Sequence, residues 1–170
     1  EMCIRDSQKG LAFYQKGESL INKEDQVGDM TDAYEKSKNA FADAIKQNAE
    51  YFDAHYNRSL ANYKLEKFND VISDCDEAIK IDDKSSKVYY QLGLAHKGNE
   101  DFEDAVKAFT SSIENDSRNH SGFYQKGLCE ESLGNFEEAL KSFESAVLIE
   151  NSNHDYYYQL GYNAFLMDEF

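Results

Sequence analysis

His120–Asn153 reads HSGFYQKGLCEESLGNFEEALKSFESAVLIENSN. Within it, apolar residues fall at Phe136, Ala139, Leu140, Phe143, Ala146 and Val147, at offsets of 0, 3, 4, 7, 10 and 11. That spacing puts all six on one face of an α-helix and does not match the two-residue alternation of a strand. Upstream, Phe123, Gly127, Leu128 and Leu133 mark a first helix, and Gly134-Asn135 supplies the turn between the two. Glu150-Asn151-Ser152-Asn153 then makes a short polar link. The stretch therefore predicts helix, tight turn, helix, link.

Outward from this unit the same pattern returns every 34 residues. Tyr56, Tyr90, Tyr124 and Tyr158 keep that interval, as do Phe68, Phe102, Phe136 and Phe170. Ser59, Gly93, Gly127 and Gly161 form a third column, and Ile79, Ile113 and Val147 a fourth. Four columns sharing one interval make the repeat real, and no segment alternates like a strand over a useful length. The 170 residues contain no Pro, which removes the usual helix breaker and favours lightly interrupted helices. The formal net charge of −15 argues against nucleic acid, whose counterions must be displaced by Lys and Arg, and against anionic membrane surfaces. No run approaches the roughly 18 apolar residues of a membrane span, so membrane insertion is not expected.

Numbered from 1 to 34, each unit resembles the tetratricopeptide repeat. That family places a small residue at position 8, an aromatic near 17, Ala at 20 and 27, and a large residue at 24. Residues 120–153 match through Gly127, Phe136, Ala139, Phe143 and Ala146; 86–119 through Leu92, Gly93, Phe102, Ala105, Phe109 and Ser112. Residues 52–85 are looser, with Ser59, Phe68, Val71, Cys75 and Ala78. Small residues let the two helices of a hairpin approach, and large ones are expected to fill the space between neighbouring hairpins. The resemblance implies an all-α, right-handed α-α solenoid of antiparallel helix hairpins. Residues 8–51 form an irregular first unit, with Phe13, Tyr14 and Gly17 on one helix and Tyr34, Phe41, Ala44 and Ile45 on the other. An insertion at about 24–31 separates them, with Thr31 or Asp32 expected to cap the second helix. Residues 154–170 supply a first helix only, and the natural chain is expected to continue at both ends. The family's Pro near position 32 is replaced by Ala49, Asp83, Ser117 and Asn151. Position 11, usually large and apolar, holds Asn62, His96 and Glu130; Lys126, one turn back, is a partner for Glu130.

Residues 1–7, Glu-Met-Cys-Ile-Arg-Asp-Ser, stand apart. The DNA string GAG ATG TGT ATA AGA GAC AG(C/T), which contains a transposase end used in sequencing libraries, encodes that heptapeptide, so the segment is expected to be a translated library scar. Cys75 and Cys129 then remain, without CxxC or metal spacing, and read as small core residues with free thiols.

In tetratricopeptide arrays the first helix of each pair lines a concave groove that grips peptides. The resemblance thus assigns to the groove a tyrosine ladder (Tyr14, Tyr56, Tyr90, Tyr124, Tyr158) and a leucine ladder (Leu60, Leu94, Leu128). An amide ladder (Asn57, Gln91, Gln125, Gln159) and Lys87 complete the set. Tyrosine adds apolar area at little rotamer cost, and amides both donate to and accept from a peptide backbone. The plainer role for the tyrosines is hairpin packing. The family's carboxylate clamp for acidic C-terminal tails finds only Asn57 and Lys87 in register; Tyr14, Glu18 and Gln91 stand where Lys, Asn and Arg are needed. The expected function is a non-catalytic scaffold for a protein or peptide, with no cofactor, metal or catalytic residue. The alternative is a docking or regulatory segment of a larger enzyme or sensor. Self-association through the uncovered helix 154–170 is a further expectation. The acidic residues, spread over Asp82-Asp83, Glu103-Asp104 and Glu137-Glu138, read as solvation or as attraction for a basic partner. No phosphate-binding Gly loop or Gly-x-Ser-x-Gly turn is present, and His120 and His154, equivalent by repeat, read as surface residues.

Overall fold

The computed structural model describes residues 2–21 and 26–169, and every regular element among them is an α-helix. In order these are α1 (Met2–Ser19), α2 (Val27–Gln47), α3 (Phe52–Lys64), α4 (Phe68–Ile81), α5 (Ser86–Gly98), α6 (Phe102–Asn115), α7 (His120–Ser132), α8 (Phe136–Ile149) and α9 (His154–Glu169). The chain divides into two compact units, residues 1–83 and 84–170. In the first, α1 packs on α2, α2 on α3 and α3 on α4. In the second, the pairs α5–α6 and α7–α8 close as hairpins, α6 packs on α7, and α9 packs on α8. The all-α hairpin repeat read from the 34-residue period is the fold observed.

What closes each hairpin is a ring seated where a side chain is missing. A Cβ added at Gly93 would lie 2.6 Å from Phe109 Cε1, and one at Gly127 would lie 2.7 Å from Phe143 Cε1. Both rings are fully buried. Each such burial is worth about 2–3 kcal/mol, and each depends on the glycine for its close approach. In α3–α4 the two members of the pair change size together: Ser59 replaces glycine where Cys75 replaces the ring, and both are fully buried.

The turns repeat as strictly as the cores. Glu66, Glu100 and Gly134, again 34 apart, adopt positive φ of 56°, 63° and 76°. Each turn closes by two backbone bonds: Glu66 N to Tyr63 O (3.0 Å) with Lys67 N to Asn62 O (2.9 Å), Glu100 N to Lys97 O (3.0 Å) with Asp101 N to His96 O (2.9 Å), and Gly134 N to Glu131 O (2.9 Å) with Asn135 N to Glu130 O (2.9 Å). This paired closure satisfies the last carbonyls of the first helix while reversing the chain.

The first hairpin departs from the sequence reading. The cap expected at Thr31 or Asp32 does not exist: α2 begins at Val27, behind an N-cap at Gln26, and Thr31 Oγ1 donates back to Val27 O at 3.1 Å inside the helix. Residues 22–25, where the expected insertion begins, lie outside the described residues. The extra length enters α2 as helix, and the reason is visible in the core. Tyr34 and Phe41, one heptad apart, fill two notches: a Cβ at Gly17 would meet Tyr34 Cε1 at 2.6 Å, and one at Gly10 would meet Phe41 Cε1 at 2.9 Å. Residues 2–7 continue α1. Cys3 packs against the Phe41, Ala44 and Ala54 cluster, Ser7 is buried, and Gln47 Nε2 donates to Asp6 Oδ2 at 2.6 Å.

Two of the polar residues at position 11, Asn62 and Glu130, hold buried charges in place. Asn62 Nδ2 donates to Asp74 Oδ2 at 3.0 Å, while Arg58 grips Asp74 through Nε at 2.9 and 3.1 Å and through Nη2. In α7–α8 the carboxylate moves to the first helix: Glu130 pairs with Lys126 at 2.8 Å, as expected, and accepts from Ser142 Oγ at 2.6 Å. Both carboxylates are nearly inaccessible, so each requires its cation.

Candidate peptide-binding surface

The tyrosine ladder packs before it does anything else. Tyr14 lies 5.5 Å, centroid to centroid, from Tyr34; Tyr90 lies 5.6 Å from Phe109; Tyr124 lies 5.8 Å from Phe143. All three pairs are tilted by 56–59°, the edge-to-face geometry aromatic rings prefer. Tyr56, opposite the small Cys75, instead stacks on Phe52 at 6.4 Å. These four tyrosines are half-buried. Burial raises the phenols of Tyr14, Tyr56 and Tyr124, and Tyr14, with Glu18 adding to the effect, is pushed up to about 12. Tyr158 is different: it is 68% exposed and stacks on Tyr162 of its own helix, at 6.2 Å.

Leu60, Leu94 and Leu128 are half-buried, and Leu94 joins Tyr90 against the Ala105–Phe109–Cys129 cluster. The amides are not equivalent. Asn57 Nδ2 donates to Asp53 O one turn back at 2.7 Å. Gln91 is 4% exposed, and its Nε2 donates to nothing. Gln125 Oε1 accepts from Lys97 Nζ at 2.7 Å, and Gln159 Oε1 is buried with no hydrogen-bond partner among the described residues. Lys87 is exposed on the first turn of α5. Within residues 84–170, then, Tyr90 and Leu94 share one cluster, Gln125 is tied to Lys97, and Tyr124 packs between Phe143 and Tyr156. Lys97 escaped the sequence reading, although its place one helical turn beyond Leu94 was the available signal.

His120 is more than a surface residue: Nδ1 lies 2.8 Å from the hydroxyl of Tyr156, a buried tyrosine whose ring sits 4.7 Å from Tyr124. All three cysteines are free; burial pushes the Cys75 thiol up to about 12 and that of Cys129 to about 11, which makes both poor nucleophiles. Among the described residues no group of three His, Cys, Asp or Glu side chains is placed to hold a metal, and no helix is long and apolar enough to cross a membrane.

No curated protein sequence matches the chain. Solved structures do. MamA is 18% identical, with 86% of this chain and 81% of that one covered at a TM-score of 0.76. YrrB, described as a TPR protein with an unusual peptide-binding site, is 16% identical over 92% of this chain and 76% of its own, at 0.70. The second TPR domain of human RPAP3, solved in complex with an HSP70 peptide, is 23% identical over 65% of this chain and 92% of its own, at 0.63. At such identities the likeness establishes the fold alone. The tetratricopeptide repeat family model matches residues 29–86 and 90–155, most of the chain, and the chain belongs to that family.

Proposed function

We propose that this protein is a non-catalytic scaffold that binds a protein or peptide segment along its first helices, through Tyr14, Tyr56, Asn57 and Leu60 in residues 1–83 and through Lys87, Tyr90, Gln91, Leu94, Tyr124, Gln125, Leu128, Tyr158 and Gln159 in residues 84–170. The observation that supports this best is Gln91, whose amide donor is buried next to Tyr90 in sequence and has no acceptor among the described residues. A buried donor without an acceptor is costly, and a peptide carbonyl arriving there removes the cost. Two structural neighbours, YrrB and RPAP3, carry peptide binding in their descriptions, which favours the same use of the fold here. The test is a peptide selected from a random library. Gln91→Ala with Gln125→Ala is expected to weaken it about tenfold, one ordinary hydrogen bond or so; unchanged affinity for Asn57→Ala, Gln91→Ala and Gln125→Ala together would dispose of the amide ladder. The same surface also serves a docking segment of a larger enzyme or sensor, the alternative reading of the sequence.

Self-association is a second reading with its own support. In α5 and α7 the position-8 glycine is filled by a ring from the next helix, whereas a Cβ at Gly161 meets nothing within 4 Å. Around it Tyr157, Tyr158, Tyr162 and Phe165 are 42–68% exposed. Sedimentation equilibrium is expected to show association that Phe165→Asp abolishes; a monomer at high concentration contradicts it.

A further inference from the structure

A polar cavity of about 280 Å³ lies among α2, α3 and α4, lined chiefly by Lys38, Asn39, Arg58, Asn62, Asp70 and Ser73, with Asp74 beneath. It is separate from the proposed peptide surface. On α3, Arg58 and Asn62 project about 200° around the helix from Tyr56 and Leu60.

Charge and hydrogen bonding together narrow what it takes. Its cations are already committed: Arg58 holds Asp74, and Lys38 pairs with Glu35 at 2.6 Å. Two cations and two carboxylates line it, so the cavity carries no net charge. The unmet valence is an acceptor. Asn62 is 3% exposed and gives its Nδ2 to Asp74, and its Oδ1 has no hydrogen-bond partner among the described residues. Above it Asp70, an exposed carboxylate, makes no ion pair among the described residues. Ser73 Oγ and the Asn39 amide add groups that both donate and accept. A carboxylate or phosphate entering here would face Asp70 and Asp74, and an ammonium or guanidinium would face Arg58 and Lys38. A neutral group with two N–H donors and one carbonyl meets no like charge.

We infer that this cavity is a binding site for a primary carboxamide, the side chain of a glutamine or asparagine presented by a partner polypeptide. The carboxamide N–H groups bond Asn62 Oδ1 and the Asp70 carboxylate, and its carbonyl accepts from Ser73 or Asn39.

The test uses the full chain, ¹⁵N-labelled, with three probes of similar size: propionamide, propionate and propylammonium, at matched ionic strength. Propionamide is expected to shift the Asn62 side-chain NH₂ and Arg58 Nε–H resonances saturably, and the two ions are not. Asp70→Ala should weaken propionamide by about threefold or more, the loss of one hydrogen bond, and Ser73→Tyr should block it. Both substitutions are at exposed positions on α4 and leave the buried pair intact. A glycyl-glutaminyl-glycine peptide blocked at both ends should bind more tightly than propionamide. Equal shifts from either ion, no saturable shift from propionamide, or a titration unmoved by both variants would overturn the assignment. Equal affinity of peptide and propionamide would overturn the polypeptide source.

Discussion

Gly93, Gly127 and Gly161 occupy one column of the sequence yet sit in opposite environments. A methyl group at the first two collides with the fully buried rings of Phe109 and Phe143, while at Gly161 it meets open space. Gly93→Ala and Gly127→Ala should each cost about 1–3 kcal/mol through overpacking. Gly161→Ala should add up to about 1 kcal/mol, because alanine is the better helix former. Urea unfolding of the three variants checks this, and a uniform sign across the column would contradict the ring-in-notch account. A second prediction at this scale concerns acid. Hydrogen bonds from Lys38 and Lys67, with Glu35 Oε1 2.5 Å from Lys67 Nζ, hold the Glu35 carboxyl below its ordinary 4.5. A lowered folded value contributes stability above about pH 4.5 that is lost as pH falls through it. The gap in melting temperature between wild type and Glu35→Gln should therefore be widest at pH 6 and close toward pH 3. A gap that widens on acidification refutes that linkage.

At the scale of elements, the helices were readable because each carries its own apolar face, and the turns because Gly134-Asn135 announces one of them. The other two turns use Glu66 and Glu100 in the left-handed region, which L-residues enter at a cost of about 1–2 kcal/mol. Glu100→Gly is expected to stabilise the chain by about 0.5–1 kcal/mol, measured by thermal melting, and Gly134→Ala to destabilise it. The start of α2 was misread because Thr31 is a good capping residue by type. The notches at Gly10 and Gly17 that hold Phe41 and Tyr34 appear only once α1 and α2 are side by side. The Arg58–Asp74 pair was hidden for the same reason, whereas Lys126–Glu130, one turn apart on α7, was legible. Arg58 and Asp74 are 16 residues apart, the separation that also joins Gly93 to Phe109 and Gly127 to Phe143 across their hairpins. Reading charges at that interval, beside the helical one, would have found the Arg58–Asp74 pair. The amide ladder was legible as residue types and not as hydrogen bonds: Asn57 is spent on its own helix, Gln125 on Lys97, and Gln91 keeps a buried donor with no acceptor among the described residues.

For the whole molecule, repetition decides the chemistry available. Among the described residues the carboxylates with buried side chains are each matched by a cation within their own hairpin, the buried thiols are raised well above neutral pH, and burial raises the phenols of Tyr14, Tyr56 and Tyr124. What the repeats offer instead is a recurring set of half-buried rings, leucines and amides, which suits recognition of a polypeptide. The most direct test is to map a library-selected peptide onto the ¹⁵N,¹³C-labelled chain by chemical-shift perturbation. The account predicts shifts at Tyr90, Gln91 and Leu94 of α5 and at Tyr124, Gln125 and Leu128 of α7. Shifts confined to α6 and α8, with those first-helix side chains unmoved, would contradict it.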